Sequence, residues 1–255
     1  MGIAIALVVL SLFFGLLERW FGALPARSIW RRDRAIDFLY WFLTPLLSRA
    51  ISAVLAGATF IVLSRMTGRS LGSSWFASQP LPLQWLEVLI GGDLTGYFSH
   101  RLFHRNPLWR FHAIHHSIQE LDWLAGVRVH VLDQLVTKGI SMLPLLVLGF
   151  DAVPIVISAG IYFWHSILLH ANVRMSFGPL RWVIASPEFH HWHHAARPDA
   201  YGKNFAGQLS ILDKLFGTMY MPEGQTPERY GLEDPVPHNY ISQMLYPFKW
   251  ARLIH

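Results

Sequence analysis

The chain has 255 residues, of which 53% are hydrophobic and only 15% charged. That is too little charge to coat a soluble domain of this size, which argues against a disordered tail, a coiled coil or an ordinary cytosolic enzyme and for a membrane protein. With no cysteine, disulfides, thiolate-held clusters or haem and a cysteine nucleophile are excluded, so any metal must sit on nitrogen or oxygen. The net charge of +5 comes from arginines beside apolar runs, which points to lipid headgroups and away from nucleic acid.

Residues 1–17 carry no charge, and the first charged residue is Glu18. This is close to the minimum for a hydrocarbon core about 30 Å thick, and no basic segment precedes it, so an uncleaved first span is expected rather than a signal peptide. Residues 38–64, interrupted only by Arg49, are long enough to cross with tilt. Arg19, Arg27, Arg31, Arg32 and Arg34 lie between the two runs. A short basic loop of this kind stays in the cytoplasm and sets the orientation. Residues 83–98 are apolar apart from Glu87 and Asp93 and read as a third span or an interfacial helix.

Two uncharged runs follow, 139–150 and 152–173, separated by Asp151 and flanked by Pro144 and Pro154. They predict a helical hairpin that dips through the membrane and returns with His165 and His170 at its end. Residues 174–255 are mixed in polarity and are expected to form a cytoplasmic cap. No repeat or low-complexity linker breaks the chain. The expectation is one all-α domain over 1–255, with multi-span helices beneath a cap that holds a histidine-rich dimetal site.

Fourteen histidines stand out. His100 and His104 are spaced i, i+4; His112, His115 and His116 are spaced i, i+3, i+4; His190, His193 and His194 repeat that pattern. On helices each set shares one face, as a metal centre needs. Ser186 and Pro187 suit the start of the last helix as N-cap and first-turn proline. At this histidine frequency an HxxHH pattern arises by chance about 0.04 times per chain and HxxxH about 0.8 times, so the second and third clusters carry the weight. Eight neutral imidazoles fill most of the coordination positions of two metal ions and leave room for dioxygen or water. The donor set accepts either iron or zinc. No cluster has the glutamate of HExxH, which weakens a hydrolytic zinc reading.

The order HxxxH, HxxHH, HxxHH resembles the fatty acid hydroxylase and sterol desaturase superfamily of membrane di-iron enzymes. The similarity extends to Ser-Pro-Glu-Phe-His-His-Trp-His-His at 186–194, Gly-Lys-Asn-Phe-Ala-Gly at 202–207 and Leu-Asp-Lys-Leu-Phe-Gly-Thr at 212–218. Asp93 and the segment from Arg128 to Asp133 also resemble family segments. The resemblance covers about residues 85–220. It implies that His100, His104, His112, His115, His116, His190, His193 and His194 are iron ligands, with His170 as a further ligand at the end of the hairpin. His165, His130 and His191 are further candidates for a ligand or for a hydrogen bond near one. His130 departs from the family pattern because valine follows it, and His191 lies off the shared face of its helix. Asp93, Glu188, Asp199 and Asp213 are candidates to orient imidazoles through the second ring nitrogen. Trp123, Trp164 and Trp192 are candidates for a substrate pocket, with packing and interfacial anchoring the simpler assignment.

The expected reaction is oxygen-dependent hydroxylation or desaturation of an unactivated C–H bond in a lipid such as a sterol or fatty-acyl chain. Such bonds yield to no side-chain acid or base, so a redox metal must act. Two iron ions, with zinc as the other candidate metal, and dioxygen as co-substrate are implied. The chain has no GxGxxG fingerprint. The resemblance therefore implies an external electron donor, a cytochrome or ferredoxin with its reductase. Carotenoid hydroxylation, zinc-dependent membrane hydrolysis, and haem-binding electron carriage or metal transport are the alternatives.

Overall fold

The computed structural model describes residues 2–24, 31–67 and 74–249; Arg27 and His255 lie outside the described residues. The described chain is all-α. Its helices are α1 (Gly2–Phe21), α2 (Arg34–Thr67), α3 (Leu81–Phe103), α4 (Trp109–His116), α5 (Val131–Leu148), α6 (Ala152–His170), α7 (Pro187–His193), α8 (Ile211–Leu215) and α9 (Tyr240–Lys249). Extended pairing among the described residues is limited to a bridge between Ala195 and Tyr230.

Among the described residues, three helices are long and apolar enough to cross a membrane: Ala4–Phe21, Val131–Leu148 and Ala152–His170. The last two form the expected hairpin, but its first arm begins eight residues before the uncharged run. The reason is local. His130 is extended and its side chain accepts the Leu132 N–H, capping a helix whose first turn carries Asp133. The arm ends at Gly149, whose φ of 80° closes the helix and whose Cα faces Ser74 so closely that a Cβ would meet it at 2.8 Å. α2 is one helix across the expected second run. α3 lies on α5 through Gly91, Gly92 and Gly96, which face Leu145 and Ser141. α3 also shows a stripe of exposed Leu83, Leu86, Ile90, Phe98 and Leu102.

Two apolar clusters hold the helix ends in register. Leu10 and Phe14 of α1, Trp41 of α2 and Ile167 of α6 bury Trp123 and Leu124. Tyr97 of α3, Leu169 of α6 and Phe189 of α7 enclose Phe205 and Leu212. A buried ion-pair network braces the first cluster: Arg31 donates to Asp37 and Asp122, and Arg128 donates to Asp37 and Asp33. Arg31 is therefore spent inside the protein and does not face lipid headgroups from the 19–34 loop; each buried guanidinium has carboxylate partners that offset its desolvation.

The C-terminal cap does not simply sit on the helix ends. His165, five residues before the end of α6, makes a 2.9 Å hydrogen bond to the Ala185 carbonyl, which places that segment about 7.5 Å below the end of the helix. Asp93, ten residues before the end of α3, accepts the backbone N–H groups of Gly207, Gln208 and Leu209 at 2.6 to 3.1 Å. At Gly207 a Cβ would meet the Tyr162 ring of α6 at 2.6 Å. The 205–209 loop is thus let down between α3 and α6.

Candidate metal centre

Nine histidines converge into two groups. The first is His100, His104, His112, His116 and His193; the second is His115, His170, His190 and His194; within each group the ligand-capable atoms all lie within 4.8 Å of one another. The i, i+4 pair of α4, His112 and His116, serves the first group, and His115 between them serves the second. In α7 the pair His190 and His194 serves the second group and His193 the first. Each helix therefore presents a single face, as expected, but divides it between two sites.

The local chain fixes these faces. Ser186 Oγ accepts the Phe189 N–H at 3.2 Å and Pro187 opens α7, the arrangement expected from sequence. Asn204, at φ 58°, donates to the carbonyls of Phe189 and Tyr220 and accepts the Tyr220 N–H, clamping the cap against α7. The imidazoles pack edge to face or stacked, with His116 and His194 at 4.5 Å between centroids bridging the two groups.

The proton positions show what the groups lack. His100 Nδ1 donates to the Phe205 carbonyl, His115 Nδ1 to Arg128, His170 Nδ1 to Ser166 and His193 Nδ1 to Lys203, while His112 Nδ1 donates to the Asp133 carboxylate at 2.7 Å. A carbonyl or carboxylate oxygen only accepts, so in a neutral ring each Nε2 carries a lone pair. Yet His100 Nε2 faces His112 Nε2 at 3.0 Å, and His115 Nε2 faces His170 Nε2 at 3.1 Å, with no proton available between them. His104, His116 and His193 have buried Nε2 atoms without any hydrogen-bond partner. Burial pushes His115, His116, His190, His193 and His194 well below the ordinary value of 6.5, so these rings are neutral at pH 7 and supply lone pairs. Facing lone pairs and orphaned ring nitrogens are what a divalent cation in each group satisfies. The residues fit two metal ions.

The remaining sequence candidates lie elsewhere. His165 bonds to the Ala185 carbonyl and His130 to the Met244 carbonyl, so neither joins a group. His191 donates to the Ala171 carbonyl at 2.9 Å and is buried against Tyr230. Asp93 orients no imidazole; its carboxylate instead accepts the N–H groups of Gly207, Gln208 and Leu209. Glu188 pairs with Arg181, and Asp199 with Arg197. Asp213 accepts the N–H groups of Phe205 and Ala206 and so steadies the carbonyl that holds His100. Trp123 and Trp192 are buried in packing clusters, and Trp164 is exposed on α6.

Three contributors were not singled out from sequence. Asp133 orients His112. Gly126 lies so close behind His170 that a Cβ would meet its ring at 2.8 Å. Trp109 sets its ring, tilted, 5.2 Å from His104 and 5.3 Å from His116. Asp133 had a sequence signal, lying three residues beyond His130 in a segment already marked as similar to the family.

Apolar helices of membrane-spanning length whose ends carry two adjoining groups of histidines define a membrane protein able to hold metal. The profile of the fatty acid hydroxylase family matches residues 85–218, and the chain belongs to that family, within the superfamily that includes sterol desaturases. It is 30% identical over 175 residues to the ornithine lipid hydroxylase OlsE of Rhizobium tropici, covering 68% of this chain and 53% of that protein. It is 32% identical over 175 residues to the alkylglycerol monooxygenase of Danio rerio, covering 66% of this chain and 38% of that one, and 31% identical over 159 residues to the human alkylglycerol monooxygenase, covering 61% and 34%. The chain thus spans about half or less of the length of these relatives. No solved structure matches it.

Proposed function

We propose that this protein catalyses dioxygen-dependent hydroxylation of an unactivated C–H bond in a membrane lipid. The observation that carries the reading is the pair of histidine groups whose ligand-capable nitrogens converge within 4.8 Å. In this reading His100, His104, His112, His116 and His193 hold one iron, and His115, His170, His190 and His194 hold the other. When bound, the two irons supply the redox chemistry that splits dioxygen, which no side chain can provide. The balance is one lipid R–H, one dioxygen, two electrons and two protons giving R–OH and water. The relatives' names, ornithine lipid hydroxylase and alkylglycerol monooxygenase, favour oxygen insertion over desaturation and a lipid as substrate.

The chain's own residues hold and shield the site. Carbonyls of Phe205, Arg128, Ser166 and Lys203, and the Asp133 carboxylate, fix the neutral tautomers. The Phe205 ring, 5.0 Å from His104, and the Trp109 ring exclude water on the side of the first group. α2 and α3 are read as further crossings beside the three apolar helices, and the whole chain as one integrated domain.

The site is assigned to the cytoplasmic side. Arg19 near the end of α1, Arg32, and Arg34 at the start of α2 mark the basic side, and the Ala23 N–H bonds to the Asn172 carbonyl just beyond His170, so this end of α1 lies at the level of the metal centre. Electrons come from an external cytochrome or ferredoxin with its reductase.

Metal analysis and lipid mass spectrometry test the proposal together. Protein purified from membranes should carry about two irons per chain, and cells making it should gain a lipid heavier by one oxygen. A lipid lighter by two hydrogens would reassign the outcome to desaturation. Tight zinc with oxygen-independent turnover would overturn the oxidative reading.

A further inference from the structure

The segment from Gly178 to Trp182 and helix α8 carry features the metal centre does not use. Leu180, Val183, Ile184, Leu215 and Phe216 are exposed, with Leu215 at 70%. Among them the exposed Trp182 ring lies under two cations, with Arg181 Cζ 5.1 Å and Lys214 Nζ 5.7 Å from its centroid. Arg181 also meets Glu188 at 3.5 Å, whereas Lys214 forms no ion pair among the described residues.

Two connections fix the level of this patch. Ala185, three residues beyond the segment, is bonded to His165 about 7.5 Å inside the end of α6. Phe216 packs on Tyr97 and Phe98 of α3 at 5.1 and 5.0 Å, so it prolongs the exposed apolar stripe of that helix. An apolar band that climbs a helix and ends in tryptophan, arginine and lysine is the pattern of the boundary between acyl chains and headgroups. The ring sits at headgroup level and the cations reach the phosphates.

We propose that Trp182, Arg181 and Lys214, with Leu215 and Phe216 beneath them, form an interfacial platform that binds anionic lipid headgroups of the bilayer. The platform rests on the reading of α3 and α6 as membrane helices and does not depend on the oxidation chemistry. One uncompensated cation near an anionic surface is worth about 1 kcal/mol, or about a fivefold enrichment of anionic over zwitterionic lipid.

The absence of cysteine makes the test direct. The full chain with Leu215→Cys, carrying a fluorophore, is reconstituted in bilayers containing a headgroup-linked quencher on either an anionic or a zwitterionic lipid. A matching label at Glu223→Cys, exposed on the cap, is the reference. The expected result is strong quenching at 215 and little at 223, with about fivefold stronger quenching by the anionic lipid at equal mole fraction. Arg181→Gln with Lys214→Gln should bring the two lipids to parity while quenching by the zwitterionic lipid persists, which also reports that the segment remains folded in place. Equal quenching at 215 and 223, or an anionic preference that survives the double substitution, would overturn the platform.

Discussion

His112 Nδ1 and the Asp133 carboxylate lie 2.7 Å apart, which makes the first arm of the hairpin the support for an imidazole carried by α4. Thr137 Oγ1 donates to the other carboxylate oxygen at 3.1 Å, so Asp133 has little freedom to turn away. Because a partner on the second nitrogen fixes the ring and raises its basicity, Asp133→Leu should weaken metal binding about 10- to 100-fold. Asp133→Asn, which can keep the hydrogen bond but not the charge, should lie at the mild end of that range. Competition with a chelator, followed by metal analysis, measures both.

Gly126 offers a test that substitutes no proposed ligand. Its Cα backs onto His170, and in Gly126→Ala the new Cβ would meet that ring at 2.8 Å, so the ring must shift from its place 2.9 Å from His190 Nε2. The expected result is at least tenfold weaker metal binding in the four-histidine group, with a smaller effect on the five-histidine group. Titration of the metal-free protein followed by spectroscopy of each site resolves the two.

Adjacent residues of α7 should behave oppositely. His190→Ala removes a nitrogen from the second group and should abolish its metal. His191→Ala removes a buried ring packed on Tyr230 and one of the two donors to the Ala171 carbonyl, which keeps the Val173 N–H, so it should cost about 1–3 kcal/mol of stability with metal content per folded chain unchanged. Thermal unfolding alongside metal analysis separates the two, and loss of metal in His191→Ala would refute the division of the helix described above.

Acid should destabilise the metal-free protein. Burial holds His115, His116, His190, His193 and His194 well below 6.5 in the folded state. Above 6.5 neither state binds these protons and the stability is complete; below it the unfolded chain takes up protons that the fold refuses. Each histidine then removes up to about 1.4 kcal/mol per pH unit until its folded value is reached. Unfolding midpoints in detergent, measured from about pH 8 to about pH 5, should fall steeply; a flat profile would mean the groups are hydrated and charged.

The histidine faces were legible because i, i+3, i+4 spacing is a local property of a helix, and the hairpin because its apolar arms bracket a turn at Gly149 and Asp151. The allocation of ligands to two sites was not, since it depends on how α3, α4, α6 and α7 meet. Asp93 shows the same limit. Its charge inside an apolar helix announced a partner, but only the fold reveals that the partner is the backbone of a loop more than a hundred residues away. The start of α5 was missed because Asp133 and Lys138 broke the apolar run, whereas the cap at His130 and the contact of Asp133 with His112 make those positions helical. Arg31 looked like a surface charge for want of knowledge that Asp37 and Asp122 close around it.

α4 and α7 each lend side chains to both pockets, and this sharing couples their occupancy. A cation captured by either pocket freezes the same two rigid bodies whose disorder opposes capture by the other, so the second ion binds to an assembly whose ordering entropy has already been lost. Loading should therefore be positively cooperative, and the protein should pass from empty to doubly filled with few singly filled molecules between.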